Sequence, residues 1–185
     1  MSSNQQISDY VYYYPQVLDS NICNNLINYF DKNAKWTKST FATAYKNTGT
    51  SQVTMDEYWI RSKDEHHEHL KTGFEQAVND YISVYDKIKI QAYTQFRINR
   101  YGAGGFMNTH IDNIHYSHGQ QQGYPHLTSL IFLNDSYDGG EFVLCGEPLE
   151  KKQGSAVVFP SNFMYPHEVK KVIKGTRFSV MTWII

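Results

Sequence analysis

The segment Asn108-Thr109-His110-Ile111-Asp112-Asn113 holds an imidazole and a carboxylate two residues apart. On an extended chain, residues i and i+2 point to the same face. His110 and Asp112 can therefore offer a nitrogen and an oxygen to one ion. A second histidine from a distant strand would complete a two-histidine, one-carboxylate face. Such a face leaves positions open on the metal and suits non-haem iron(II) chemistry with a bidentate cosubstrate and dioxygen. Taken alone, His-x-Asp is weak, because the tripeptide arises by chance and two unrelated polar residues are its bland reading. The downstream residues strengthen it. Pro166-His167-Glu168-Val169 opens a strand, Arg177 follows within Gly175-Thr176-Arg177-Phe178-Ser179, and Trp183 lies beyond.

The remaining histidines are read as structural or solvent-facing. His66, His67 and His69 fall in Asp64-Glu65-His66-His67-Glu68-His69, a solvated charged stretch at the start of a helix rather than a metal site. His115 and His118 lie in Asn113–Pro125, whose Gly and Gln content predicts mobility. That loop is either a substrate lid or an inert surface excursion. His126 reads as a strand cap.

Around these residues the chain divides in character. Tyr10 to Val17 reads as a short strand. Asp19 or Ser20 can cap a helix over about Asn21 to Lys32, with Ile22, Leu26, Ile27 and Phe30 as its apolar stripe. Phe41 to Gln52 is a Thr-, Ser-, Asn- and Gly-rich loop. Leu70, Phe74, Val78, Tyr81 and Tyr85 predict a second helix over about Ser62 to Tyr85. Beyond residue 88, strand-like runs alternate with turn signals: Lys89–Arg100, Leu127–Leu133, Glu141–Cys145, Ala156–Phe159, Glu168–Ile173 and Thr176–Ile185. Many short strands punctuated this way predict a sandwich or jelly roll. The expected architecture is mainly β with N-terminal helices. It is one domain over 1–185, with helical support over about 1–88 and a β core over about 89–185.

On the last strand, Arg177, Ser179, Met181 and Trp183 share one face, and Phe178, Val180, Thr182 and Ile184 the other. The first set suits the wall of a polar pocket, the second packing against the helices.

Composition narrows the function. With 17 basic and 18 acidic residues the net charge is −1, and no basic stripe points to nucleic acid. An aromatic share of 15% favours strands. Cys23 and Cys145 form no disulfide framework and read as two reduced, semi-buried thiols. Met1 to Tyr14 has no signal-peptide pattern and no apolar run is long enough to span a bilayer. The expectation is a soluble, cytoplasmic protein.

From about residue 95 to 185 the chain resembles the 2-oxoglutarate/Fe(II) oxygenases, especially the prolyl 4-hydroxylase branch. The motifs run in order: Arg100-Tyr101-Gly102, His110-x-Asp112, Leu130-Ile131-Phe132-Leu133-Asn134, Gly139-Gly140-Glu141, His167, Lys174-Gly175-Thr176-Arg177 and Trp183. Val17-Leu18-Asp19 and its helix resemble the usual lead-in more weakly. The resemblance implies a double-stranded β-helix, the jelly roll, with His110, Asp112 and His167 as iron ligands. It assigns Arg177 and Tyr101 to the distal carboxylate of 2-oxoglutarate, and Thr128 and Trp183 to the lining of that pocket. Many prolyl 4-hydroxylases carry lysine where this chain has Arg177, and arginine adds a planar fork. Facing sheets lie roughly 10 Å apart, a gap that a five-carbon diacid can bridge. The implied reaction hydroxylates a C–H bond, with O2 consumed and succinate and CO2 released. The resemblance also admits ascorbate as an auxiliary reductant. The implied substrate is a prolyl residue in a peptide or protein, and Arg61 in Tyr58-Trp59-Ile60-Arg61-Ser62 resembles a peptide-contacting segment. An oxygenase of a free amino acid or other small molecule shares the same iron and cosubstrate motifs. A nucleobase-demethylating oxygenase is disfavoured, because no second arginine follows Arg177. A non-catalytic jelly-roll module is disfavoured, because it has no need of an open iron site.

Overall fold

The computed structural model describes residues 6–39, 52–112 and 125–185. The two loops predicted over 41–52 and 113–125 lie outside the described residues, except for Gln52 and Pro125.

Two helices back the β core. Helix α1 (Ser20–Asn33) starts where Asp19 turns extended and its carboxylate accepts from the Ile22 N–H at 2.9 Å, meeting one orphan helix donor. Cys23, Leu26 and Phe30 are its buried face, with Ile22 and Ile27 at the margin. Helix α2 (His67–Val84) buries Leu70, Phe74, Ala77, Val78 and Tyr81. It starts five residues later than the periodicity predicts. The reason is local: the Asp64 carboxylate accepts from the Arg61 N–H at 2.9 Å, which favours a turn there. His66 then takes a left-handed φ of 67° before the helix begins.

In chain order the strands are β1 (Tyr12–Tyr14), β2 (Thr37–Lys38), β3 (Val53–Thr54), β4 (Asp56–Ile60), β5 (Phe96–Tyr101), β6 (Phe106–His110) and β7 (Leu127–Phe132). There follow β8 (Asp138–Gly139), β9 (Phe142–Leu144), β10 (Glu147–Pro148), β11 (Ala156–Pro160), β12 (His167–Val169), β13 (Val172–Lys174) and β14 (Arg177–Ile184). A seven-stranded sheet runs β1-β11-β7-β14-β5-β4-β2, and a five-stranded sheet runs β10-β9-β12-β6-β3. This is the jelly roll that the turn spacing predicts.

Three boundaries depart from expectation. The run Lys89–Arg100 becomes a strand only at Phe96. Before that it follows the chain's end by single links, such as Gln91 and Ala92 N–H to the Ile185 carbonyl. Glu168–Ile173 is two strands, because β12 pairs with β6 and β9 while β13 pairs with β8. Strand β4, which sequence reading left unassigned, extends the large sheet beyond β5.

The large sheet separates two apolar clusters. Its outer face sends Phe96, Ile98, Leu127, Ile131, Ala156, Val158, Phe178, Val180 and Ile184 against the helices. Its inner face sends Tyr101, Leu130, Phe132, Val157, Phe159, Met181 and Trp183 toward the smaller sheet. Period two along each strand is the cause. The lead-in to α1 packs tightly on Gly154, whose φ of +81° and closeness to the Leu18 carbonyl leave no room for a Cβ. The Val17 and Leu18 N–H groups both donate to the Gly154 carbonyl, at 2.8 and 3.1 Å, tying the start of α1 to the sheet. Cys23 is fully buried and Cys145 exposed, so neither is the half-buried thiol expected; both are free. Among the described residues no helix is long and apolar enough to cross a membrane.

Candidate active site

Between the two sheets lies a narrow cavity of about 390 Å³ of atom-free space, its open mouth included. The smaller sheet supplies one wall. His110 ends β6 and His167 begins β12, and the two are directly paired in register. Their rings lie 4.2 Å apart centre to centre. Asp112 follows β6 by two residues and folds back over them. His167 Nε2 is 3.6 Å from Asp112 Oδ2, and His110 Nε2 is 3.9 Å from Oδ1. Among the described residues this is the trio whose donor atoms converge, all within 4.8 Å of one another.

The tautomers suit metal binding. His110 Nδ1 is 2.9 Å from the Asn108 carbonyl and His167 Nδ1 is 3.0 Å from the Tyr165 carbonyl. A carbonyl only accepts, so each Nδ1 carries the proton and each Nε2 presents its lone pair. Burial, reinforced by His167, lowers the His110 pKa to about 4, with Asp112 opposing. Burial would raise the Asp112 carboxyl, but His167, His110 and the Thr128 hydroxyl outweigh it and hold it well below the usual range. His167 moves upward despite burial, because the Asp112 carboxylate faces it.

Thr128 sits on β7 and donates from Oγ1 to Asp112 Oδ2 at 2.7 Å, with Ser161 Oγ also at 2.7 Å. It lines the cavity, and its hydrogen bond is to the carboxylate of the trio. Trp183 pairs with Thr128 in register but faces a different neighbour, the Arg97 guanidinium, 5.5 Å from its ring centre.

At the other end, Arg177 on β14 pairs with Tyr101 on β5. The Arg177 guanidinium is 1% exposed, and among the described residues no carboxylate pairs with it. Its Nη1 donates to Ser179 Oγ at 2.8 Å, while Nε and Nη2 have no partner. The Tyr101 ring lies 5.1 Å from the guanidinium, and its hydroxyl reaches only Met107 Sδ, at 3.7 Å. Burial raises the Tyr101 pKa against the pull of Arg177, so the phenol stays a neutral donor. Buried polar groups are normally paired. An orphaned cation beside an idle phenol therefore fits an incoming carboxylate, and the histidine–aspartate trio fits a divalent ion.

Arg61 lies apart from this cavity. It sits on an outer groove with His67, Lys71 and Phe96, and pairs with Asp64 at 2.9 Å. Sequence reading passed over four residues. Arg97 and Asn99 line the cavity, Glu57 is fully buried beside Arg97, and Tyr137 is buried beside Arg177. The alternation Phe96-Arg97-Ile98-Asn99-Arg100-Tyr101 is the signal that could have found the first two.

Comparison with known proteins gives a consistent picture. Residues 96–185, just under half of the 185-residue chain, match the family model of the 2OG-Fe(II) oxygenase superfamily. A PKHD-type hydroxylase from Thermosynechococcus vestitus is 38% identical over 106 residues, covering 51% of this chain and 46% of that protein. The chain thus spans about half the length of the curated relatives it matches. Among solved structures, a Pseudomonas putida prolyl-4-hydroxylase superposes with a TM-score of 0.71 at 18% identity, over 95% of this chain and 91% of that one. A Trichoplax adhaerens prolyl hydroxylase, in complex with a hypoxia inducible factor oxygen degradation domain peptide fragment, gives 0.73 at 19% identity, over 96% and 84%. At these identities the structures speak for the shared fold.

Proposed function

We propose that the chain, whose residues 96–185 match the family model of the 2OG-Fe(II) oxygenase superfamily, is a hydroxylase that uses iron(II), 2-oxoglutarate and O2, with a prolyl residue of a peptide or protein as substrate. The observation that carries the reading is the pairing of a convergent His110–Asp112–His167 trio with an orphaned, buried Arg177 across one cavity. Iron(II) with 2-oxoglutarate and O2 supplies the oxidising power for C–H hydroxylation, with succinate and CO2 as co-products. In general the metal and cosubstrate carry such chemistry and the protein supplies position and surroundings.

His110 and His167 present Nε2 lone pairs, each ring fixed by its Nδ1–H donating to a backbone carbonyl. Asp112 supplies the third donor, and Thr128 holds one of its oxygens so that the other is free. Arg177 would hold the far carboxylate of 2-oxoglutarate, with its Nε–H and Nη2–H available to donate. Tyr101 adds a hydroxyl donor. The apolar lining of Met107, Leu130, Phe142, Phe159, Val169 and Met181 excludes water and strengthens these contacts. The proline assignment draws on the order of the sequence motifs and on the peptide held by the Trichoplax relative in fold.

The test is direct. The iron-loaded protein is incubated with 2-oxoglutarate and prolyl peptides, and succinate is assayed alongside mass spectrometry of the peptides. Succinate formation coupled to the gain of one oxygen atom on proline is expected. Coupled turnover of a free amino acid and of no peptide moves the substrate to the small-molecule class. Undiminished turnover in His110→Ala removes the metal assignment.

A further inference from the structure

Arg97 is the second guanidinium inside the jelly roll, at 5% exposure, and the cosubstrate has no need of it. It lies on β5 four residues before Tyr101, paired with Trp59 of β4 on one side and Met181 of β14 on the other. This places it toward the Trp183–Thr128–Asp112 end of the cavity, away from Arg177. It lines the same cavity as His110, Asp112 and His167. Its Cζ is 5.5 Å from the ring centres of both Trp59 and Trp183. Its Nη1 stands 3.7 Å from Glu57 Oε2, and its Nε has no hydrogen-bond partner. Asn99, nearer Arg177 and paired with Ser179, belongs to the cosubstrate end.

Resting on the function proposed above, we infer that Arg97 is a substrate-positioning residue, whose Nε–H holds a neutral amide carbonyl next to the carbon to be hydroxylated. A buried donor without a partner is costly, so the site is completed by an acceptor from outside. The neighbouring Glu57 decides which acceptor. It balances the guanidinium charge, and an incoming carboxylate would sit beside it at like-charge distance. A carbonyl oxygen takes the hydrogen bond without that penalty. The indoles of Trp59 and Trp183 both lie against the guanidinium, 5.5 Å from its Cζ, and hold its plane in place beside the cavity. The site therefore prefers a residue inside a peptide to the same amino acid free.

The two indoles provide the readout. In a Trp36→Phe background, the anaerobic protein loaded with iron(II) and 2-oxoglutarate is titrated with acetylated, amidated prolyl tripeptides and with free L-proline. Indole fluorescence is followed. Blocked peptides should bind and free proline should bind at least about tenfold more weakly, the scale of one charge-assisted hydrogen bond. Arg97→Lys keeps the charge facing Glu57 but loses Nε–H and the planar face, and should weaken the peptides about tenfold or more while unfolding at the parent's temperature. Glu57→Gln should narrow the preference over free proline. Free proline binding as tightly as the peptides, no blocked peptide binding at all, or parental peptide affinity in Arg97→Lys would each overturn the inference. Iron(II) and 2-oxoglutarate uptake by the parent, measured in the same samples, keeps the two readings apart. If uptake is normal and only the Arg97→Lys arm fails, the role of Arg97 alone falls; if uptake is normal and no blocked peptide binds, the peptide substrate falls with it; if uptake is absent, the proposed iron and 2-oxoglutarate chemistry itself fails.

Discussion

Replacing Arg177 with methionine should stabilise the ligand-free protein and abolish its response to 2-oxoglutarate. Most substitutions of fully buried residues destabilise, so the expected sign is unusual. The guanidinium is 1% exposed, with Nη1 bonded to Ser179 and both Nε and Nη2 unmet. Each unmet buried donor costs about 1–3 kcal/mol, so the pair costs about 2–6 kcal/mol. The faces of Tyr101 and Phe132, 5.1 and 5.6 Å from Cζ, oppose this. Such contacts return about 0.5–2 kcal/mol each. Methionine fills similar space with an adaptable apolar chain. With the two rings together returning about 1–4 kcal/mol, a net gain of about 1–2 kcal/mol follows, in line with the replacement of buried charges by apolar groups. At roughly 2–4 °C per kcal/mol for a chain of this size, the melting temperature rises by several degrees. The assay is thermal unfolding with iron(II), with and without 2-oxoglutarate. A ligand at about a hundred times its Kd adds roughly 2.7 kcal/mol to the parent. The variant should show a higher baseline and no such increment. A variant less stable than the parent, or one that keeps the 2-oxoglutarate increment, refutes the reasoning.

Three further outcomes are expected. Thr128→Val removes the hydroxyl holding Asp112 and should weaken iron(II) or manganese(II) binding about 10–100-fold, as lost outer-shell partners do; an anaerobic metal titration checks it, and affinity within twofold of the parent counts against it. Gly154→Ala should destabilise by more than about 2 kcal/mol, from the left-handed backbone and the collision with the Leu18 carbonyl, which urea denaturation measures. Burial opposes ionisation of Asp56, but Lys38 and Arg100 prevail and hold its pKa below the ordinary 3.8. Its stabilisation is therefore present above about pH 4 and fades as pH falls through the folded pKa, so Asp56→Asn should flatten the acid limb of a melting-temperature profile.

Much of the site was legible because it rests on short-range geometry. His110 and Asp112 stand two apart at a strand end, and period two on Arg177–Ile184 separates cavity wall from helix-facing core. Thr128 was placed at the cavity by resemblance, but its bond to Asp112 depends on β7 lying across from the end of β6, which no local pattern encodes. Arg97 was hidden for a related reason. Its polar–apolar alternation reads equally well as a strand with a solvent face, and only the smaller sheet, packed across it, makes that face an interior. Strand β4 was itself missed because Asp56 to Ile60 mixes charge and aromatics without clean alternation. The late start of α2 came from Asp64 capturing the Arg61 N–H, a side-chain competition that helical periodicity cannot register.

The stretch that carries the family likeness is not the stretch that closes the sheets. In the larger sheet, β1 covers the free side of β11, and β4 with β2 covers the free side of β5; in the smaller one, β3 covers β6. All of these covering strands come from residues 12–60. A fragment cut to residues 96–185 would carry every proposed metal and cosubstrate residue and still present three raw strand edges and a bare apolar face where α1 and α2 had lain. Unpaired edges template strand addition from neighbouring chains. Such a fragment is expected to self-associate rather than work as a minimal enzyme, and the N-terminal third acts in part as a guard against amyloid-like stacking.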